Sequence, residues 1–167
     1  MYRKVEDFLK SYEQESAGTQ KMLDALTDAS LATRVADGHR TLGNVAWHIA
    51  LTLPEMMGHV GLDVSGPAEK TPTPATAKEI ADTYRQASSS LLAQVKEKWD
   101  DATLEVVDEM YGEKWARGFT LSGLLAHEIH HRGQLTVLMR QAGLKVPGVY
   151  GPAQEEWAQY GMQTPPE

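Results

Sequence analysis

Residues 120–142 read Thr-Leu-Ser-Gly-Leu-Leu-Ala-His-Glu-Ile-His-His-Arg-Gly-Gln-Leu-Thr-Val-Leu-Met-Arg-Gln-Ala. On a helical projection of about 100° per residue, Leu121, Leu124, Leu125, Leu135 and Met139 share one broad face. The spacing predicts a long amphipathic helix, capped by Thr120 at its start and by Gly143 at its end. His127 and His131 are four residues apart, so they stack on one side of that helix, near the edge of its apolar face. His130 projects towards Ala126 and Val137, away from the pair. A third histidine, His48, lies in an earlier apolar segment, Val45-Ala-Trp-His-Ile49. Two imidazoles from one helix and one from a neighbour can make a three-nitrogen metal site. Histidines at the core edge, satisfied by hydrogen bonds, are the alternative, and spacing alone leaves both open.

Outward from this helix, the chain repeats the same helical rhythm three times. Val5, Phe8, Leu9 and Tyr12, continued by Met22, Leu23 and Leu26, predict a first helix near 2–26 with Gly18 as a weak point. Residues 27–40 are expected to be a loop turning at Asp37-Gly38. Thr41 suits the cap of a second helix marked by Leu42, Val45, Ile49 and Leu53, which Pro54 kinks or ends. Gly61, Gly66, Pro67, Pro72 and Pro74 make 61–75 a long linker. Thr76-Ala-Lys-Glu79 has the form of a capping box and opens a third helix through Ile80, Tyr84, Ala87, Leu91 and Val95. Residues 100–119 fit either two short extended pieces about Tyr111-Gly112 or a plain loop. Beyond Gly143 the tail is extended, with a short helix over 154–160. The expectation is an all-α fold, a four-helix bundle with long crossover connections, forming a single domain over residues 1–167.

Composition narrows the functions. The chain has 16 basic and 23 acidic residues, a net charge of −7 and no basic run, so nucleic-acid binding is not expected. Cysteine is absent, which rules out disulfides, thiolate metal sites and a cysteine nucleophile. No stretch approaches the roughly 18–20 apolar residues that span a bilayer. Met1-Tyr-Arg-Lys-Val leads into acidic, polar sequence rather than a signal-peptide core. A cytoplasmic protein without membrane attachment is expected.

His127-Glu-Ile-His-His131 also matches H-E-x-x-H, in which two histidines bind zinc and the glutamate is general base of a protease. Here Glu128 is the candidate base, and Glu155 or Glu156 would have to supply a third ligand from the Pro/Gly-rich tail. A helix residue paired with Arg132 at i,i+4, or a carboxylate that supports the ligands from behind, is favoured over a catalytic base. Trp47, Trp115 and Trp157 are expected in the core rather than around a pocket. His39 and His59 are expected to be solvated, and Ser88-Ser-Ser90 to be a polar helix face.

With these residues in view, the chain resembles the DinB family, within the wider DinB and YfiT-like superfamily. The resemblance is carried by His48, by His127-x3-His131-Arg-Gly-Gln-Leu135, and by the tail Leu144-Lys-Val-Pro-Gly-Val-Tyr-Gly-Pro152. It runs from about residue 5 to 160. It implies a four-helix bundle, often a homodimer, with a divalent metal, nickel or zinc, held by His48, His127 and His131 and completed by water. It also implies a metal-dependent enzyme, for which the superfamily offers transferases and an isomerase that use a low-molecular-weight thiol. Such a thiol would bring its own sulfur to a cysteine-free chain and act on a small-molecule substrate, with Glu128 or Tyr150 available to assist. A non-catalytic, metal-stabilised stress-related protein is the other expectation.

Overall fold

Apolar residues recurring every three or four positions produce four long helices in the computed structural model, which describes residues 1–163. Helix α1 spans Val5–Asp24, α2 Leu42–His59, α3 Ala77–Lys98 and α4 Arg117–Gln141. Thr41 Oγ1 accepts from the Asn44 amide, and the Asn44 side chain accepts from the Thr41 amide in return. Thr76 Oγ1 likewise accepts from the Glu79 amide. Pro54 does not end α2, which continues to His59.

The start of α4 differs from expectation. It begins at Arg117, directly out of a strand, and its N-cap Ala116 has no capping side chain. The Arg117 amide instead donates to Val106 O at 2.9 Å. The extension of the strand ladder thus satisfies one of the first amides of α4 that have no partner within the helix. Thr120 lies buried within the helix. At the other end, Leu144 N donates to Met139 O and Gly143 N to Arg140 O, the paired bonds of a Schellman motif.

Residues 107–116 form a hairpin. Strand β1, Val107–Met110, pairs antiparallel with β2, Glu113–Ala116. The two-residue turn places Tyr111 at φ 53° and Gly112 at φ 81°, as a type I′ turn requires. A tyrosine at positive φ is disfavoured. It is tied down by a 2.7 Å hydrogen bond from its hydroxyl to Glu55 Oε2 of α2. Buried Met110 anchors the hairpin in the bundle.

Around the bundle, α1 packs on α3 and α4, and α2 packs on α3 and α4. Helices α1 and α2 therefore stand diagonally, as do α3 and α4. The two connections that cross diagonals are 25–41, which holds a short 3-10 turn at Asp28–Ala32, and 99–116, which holds the hairpin. The 60–76 linker joins neighbours. It is held along its length by Trp47 Nε1 donating to Thr71 O and by the Ser65 amide donating to Ser90 Oγ. Phe8, Leu23, Ile49, Leu53, Ile80, Leu91, Leu121 and Leu135 form the inner core. No helix of the described residues is long and apolar enough to cross a membrane.

Candidate metal centre

Because α2 and α4 are neighbours, His48 at the middle of α2 meets His127 and His131 of α4. His48 Nε2 lies 3.1 Å from His127 Nε2, which lies 3.1 Å from His131 Nε2. One ring nitrogen of each residue falls within 4.8 Å of the other two. With metal–nitrogen bonds of about 2.0–2.1 Å, ligand nitrogens sit about 2.8–3.0 Å apart on an octahedral edge and about 3.3–3.4 Å apart on a tetrahedral one. The observed spacing lies between the two, so the cluster could hold a metal ion. Hydrogen bonding among the rings alone satisfies it poorly, since each Nε2 of a neutral ring is either a donor or an acceptor.

The surroundings favour lone pairs over protons. His131 Nδ1 meets Gln134 Oε1 at 2.7 Å, and the Gln134 amide nitrogen meets His130 Nε2 at 3.1 Å. The proton of His131 therefore sits on Nδ1, and its Nε2 presents a lone pair to the cluster. A hydrogen bond of this kind from the outer nitrogen fixes ring orientation in metal sites. His130 thus reaches the site through Gln134 rather than as a ligand. Partial burial, then the proximity of His131, lowers His48 to about 4. Burial, then His131 and His48, lowers His127 to about 4. Burial also lowers His131. All three rings are neutral at pH 7, the form that binds metals.

A cleft of about 560 Å³ opens beside His131. Val45 of α2 and Val137 and Leu138 of α4 form its apolar walls, and the 35–40 loop forms its rim. His39, expected to be merely solvated, is exposed but lines this cleft together with Arg40. His59 conforms to expectation: it is exposed and pairs with Glu55 at 3.3 Å.

Glu128 is elsewhere. It is 2% exposed, and its carboxylate accepts from Thr19 Oγ1 at 2.6 Å, Tyr84 OH at 2.5 Å and Tyr12 OH at 3.4 Å. These partners lie on α1 and α3, whereas the imidazoles lie between α2 and α4. Burial pushes the Glu128 carboxyl up, against the pull of its hydrogen bonds from Thr19 and Tyr84. A general base at the histidines does not describe it, and nor does the expected direct pair with Arg132, which reaches Glu128 only through Thr19 Oγ1. Arg132 is itself buried and binds Glu15 Oε2 at 2.5 Å and Tyr150 OH at 2.6 Å. Tyr150 is therefore held at α1 and not at the cluster. Glu155 pairs with Arg140, and Glu156 accepts from the Gly148 and Ala153 amides, so neither serves as a third protease ligand. Trp47 is buried, while Trp115 and Trp157 are half-buried, and none lines the cleft.

The polar network about Glu128 had a signal in the sequence. Tyr12, Ser16 and Thr19 follow one another at helical spacing on the apolar face of α1, and Tyr84 sits on that of α3. Hydroxyls along an apolar face mark a polar partner opposite, because buried polar groups are hydrogen-bonded.

The model of the DinB family matches residues 1–165. The chain belongs to the DinB family. It is 44% identical to the uncharacterized protein YrdA of Bacillus subtilis (strain 168) over 165 residues, 99% of each chain. The crystal structure of a DinB-like protein from Bacillus cereus ATCC 10987 matches with a TM-score of 0.87 at 45% identity, covering 90% of this chain and 100% of that one. A DinB-like protein of Bacillus subtilis, YjoA, matches with a TM-score of 0.67 at 16% identity, over 86% and 97% of the two chains, and shares the fold.

Proposed function

We propose that His48, His127 and His131 hold one divalent metal ion through their Nε2 atoms, and that the chain is a metal-dependent enzyme of the thiol-transferase kind. The observation that carries this reading is the convergence of three neutral imidazoles, with His127 Nε2 3.1 Å from the Nε2 of each of the other two, beside an open cleft. Imidazole suits zinc and nickel. An ion with three protein nitrogens keeps coordination positions open and acts as a Lewis acid on an oxygen or sulfur donor.

The chain's own residues do the rest. Gln134 fixes the tautomer and direction of His131. The packing of α2 on α4 sets the distance between His48 and the His127–His131 pair. Val45, Val137 and Leu138 give the approach an apolar lining that limits water. A small thiol entering by this route would supply the nucleophilic sulfur that the chain, having no cysteine, lacks. Glu128 and Tyr150 take no part in proton transfer in this scheme, since both are engaged away from the cluster.

Elemental analysis of the purified protein tests the site. Wild type is expected to carry one equivalent of nickel or zinc, and His48→Ala and His127→Ala to lose it. Metal content equal in all three proteins rules the site out. Turnover of electrophiles with glutathione, bacillithiol or mycothiol, lost in His127→Ala, tests the reaction. A second reading is favoured by the origin of the rings on two different helices. An ion there would cross-link α2 to α4 and add to folding stability without chemistry. A melting temperature that falls on chelation, with no turnover on the thiol panel, selects it.

A further inference from the structure

The cleft beside His131 carries a feature that metal binding does not use. The chain has seven arginines. Four are committed to carboxylates: Arg85 to Asp24 and Asp82, Arg117 to Asp108, Arg132 to Glu15 and Arg140 to Glu155. Among the described residues, Arg3, Arg34 and Arg40 form no ion pair. Of these three, Arg40 lines the cleft. No aspartate or glutamate lines it, although the chain has 23 acidic residues. The only other side chains there with polar atoms are His39, His131 and Gln134, and the last two are bonded to each other. The remaining lining is apolar, and Val35 and Val137 are 61% and 53% exposed.

A guanidinium without a carboxylate partner, set at the rim of an apolar cleft in an acidic protein, presents a fork of donors matched to an oxyanion. Exposed valines beside it present apolar surface that a ligand's hydrocarbon portion would cover. At about 560 Å³ the cleft falls within the roughly 300–1,000 Å³ typical of small-ligand pockets. We infer that the cleft is a binding subsite for a small amphipathic oxyanion. Its acidic head lies on the Arg40 guanidinium, its apolar body along Val35, Val45 and Val137, and its far end reaches His131. Carboxylate and phosphate monoester heads share the chemistry that Arg40 recognises. The subsite rests on the metal reading only for what happens at the His131 end; the seat for the anion stands on the cleft's own lining.

Calorimetric titration of the metal-replete full-length protein with hexanoate, hexyl phosphate and hexanol tests this. At least one of the two anions is expected to bind about tenfold or more tighter than hexanol, and the preference between them names the head group. Arg40→Gln is expected to weaken that anion about tenfold or more while leaving hexanol binding, metal content and melting temperature unchanged. Arg40→Lys is expected to restore part of the loss. Equal affinity of the anion for wild type and Arg40→Gln, equal affinity for anion and alcohol, or no binding of either anion to wild type overturns the subsite. Metal content separates the two readings. A protein without metal that still binds the anion through Arg40 keeps the subsite and loses the metal site. A loaded protein with no Arg40-dependent binding does the reverse.

Discussion

At neutral pH the rings of His48, His127 and His131 are uncharged, because partial burial, and after it the charge of neighbouring basic groups, penalises a positive imidazole. In the unfolded chain each returns to the ordinary histidine value of about 6.5. Between that value and about 4, where His48 and His127 titrate when folded, the unfolded chain binds more protons. Stability contributed by neutral rings is therefore full above about pH 6.5 and lost as the pH falls towards 4. Glu128 opposes this trend, since a carboxyl raised by burial takes up its proton first in the folded chain. The cluster's share is isolated by comparing variants. In chelator-treated protein, the urea midpoint of wild type is expected to drop from about pH 7 to pH 5, and His48→Phe to show a shallower drop. Superimposable slopes would mean that these rings do not set the acid limit.

Between elements, the close approach of α1 to the C-terminal tail depends on a missing side chain. A Cβ at Gly18 would lie 2.6 Å from Val149 Cγ1 and 3.4 Å from Arg132 Nη1. Gly18 is thus the seat of the tail rather than the weak point that its helix propensity predicts. The neighbouring Tyr150 hydroxyl donates to Glu15 Oε2 at 2.7 Å, and Arg132 Nη2 donates to the Tyr150 hydroxyl at 2.6 Å. A larger residue at 18 gains about 1 kcal/mol of helix propensity. Overpacking against a stiff valine costs about 1–3 kcal/mol, so the clash is expected to win. Gly18→Leu is expected to lower the urea midpoint and to speed proteolytic cleavage after residue 145, where the tail would be displaced. A variant as stable and as resistant as wild type would show that the tail yields without cost.

Over the whole bundle, two polar constructions divide the work. The imidazoles join α2 to α4, and Glu128 joins α4 to α1 and α3 through Thr19, Tyr12 and Tyr84. Removing Glu128 leaves the buried hydroxyls of Thr19, Tyr84 and Tyr12 without their acceptor, at a cost of about 1–3 kcal/mol for each that stays unsatisfied. Glu128→Ala is expected to lose stability of that order in urea unfolding and to keep its metal, because its carboxylate touches none of the three rings. Loss of metal with unchanged stability would instead place Glu128 at the metal centre, as the H-E-x-x-H pattern suggests.

Four helices, their approximate bounds and the His127–His131 pair were legible from local rules, since period and i,i+4 stacking are properties of a single helix. The capping threonines of α2 and α3 were legible for the same reason. Thr120 misled because strand pairing carries the helix start back to Arg117, whose amide donates to Val106 O, and so leaves Thr120 inside the helix. The hairpin stayed open because Tyr111-Gly112 lacks the usual turn chemistry and depends on Glu55, 56 residues away. The meeting of His48 with the α4 pair, the turning of Glu128 inward and the freedom of Arg40 all belong to the packing of distant helices. Periodicity places a side chain on a face of its own helix; which helix meets that face, and which partner quenches its charge, is settled only when the whole bundle closes.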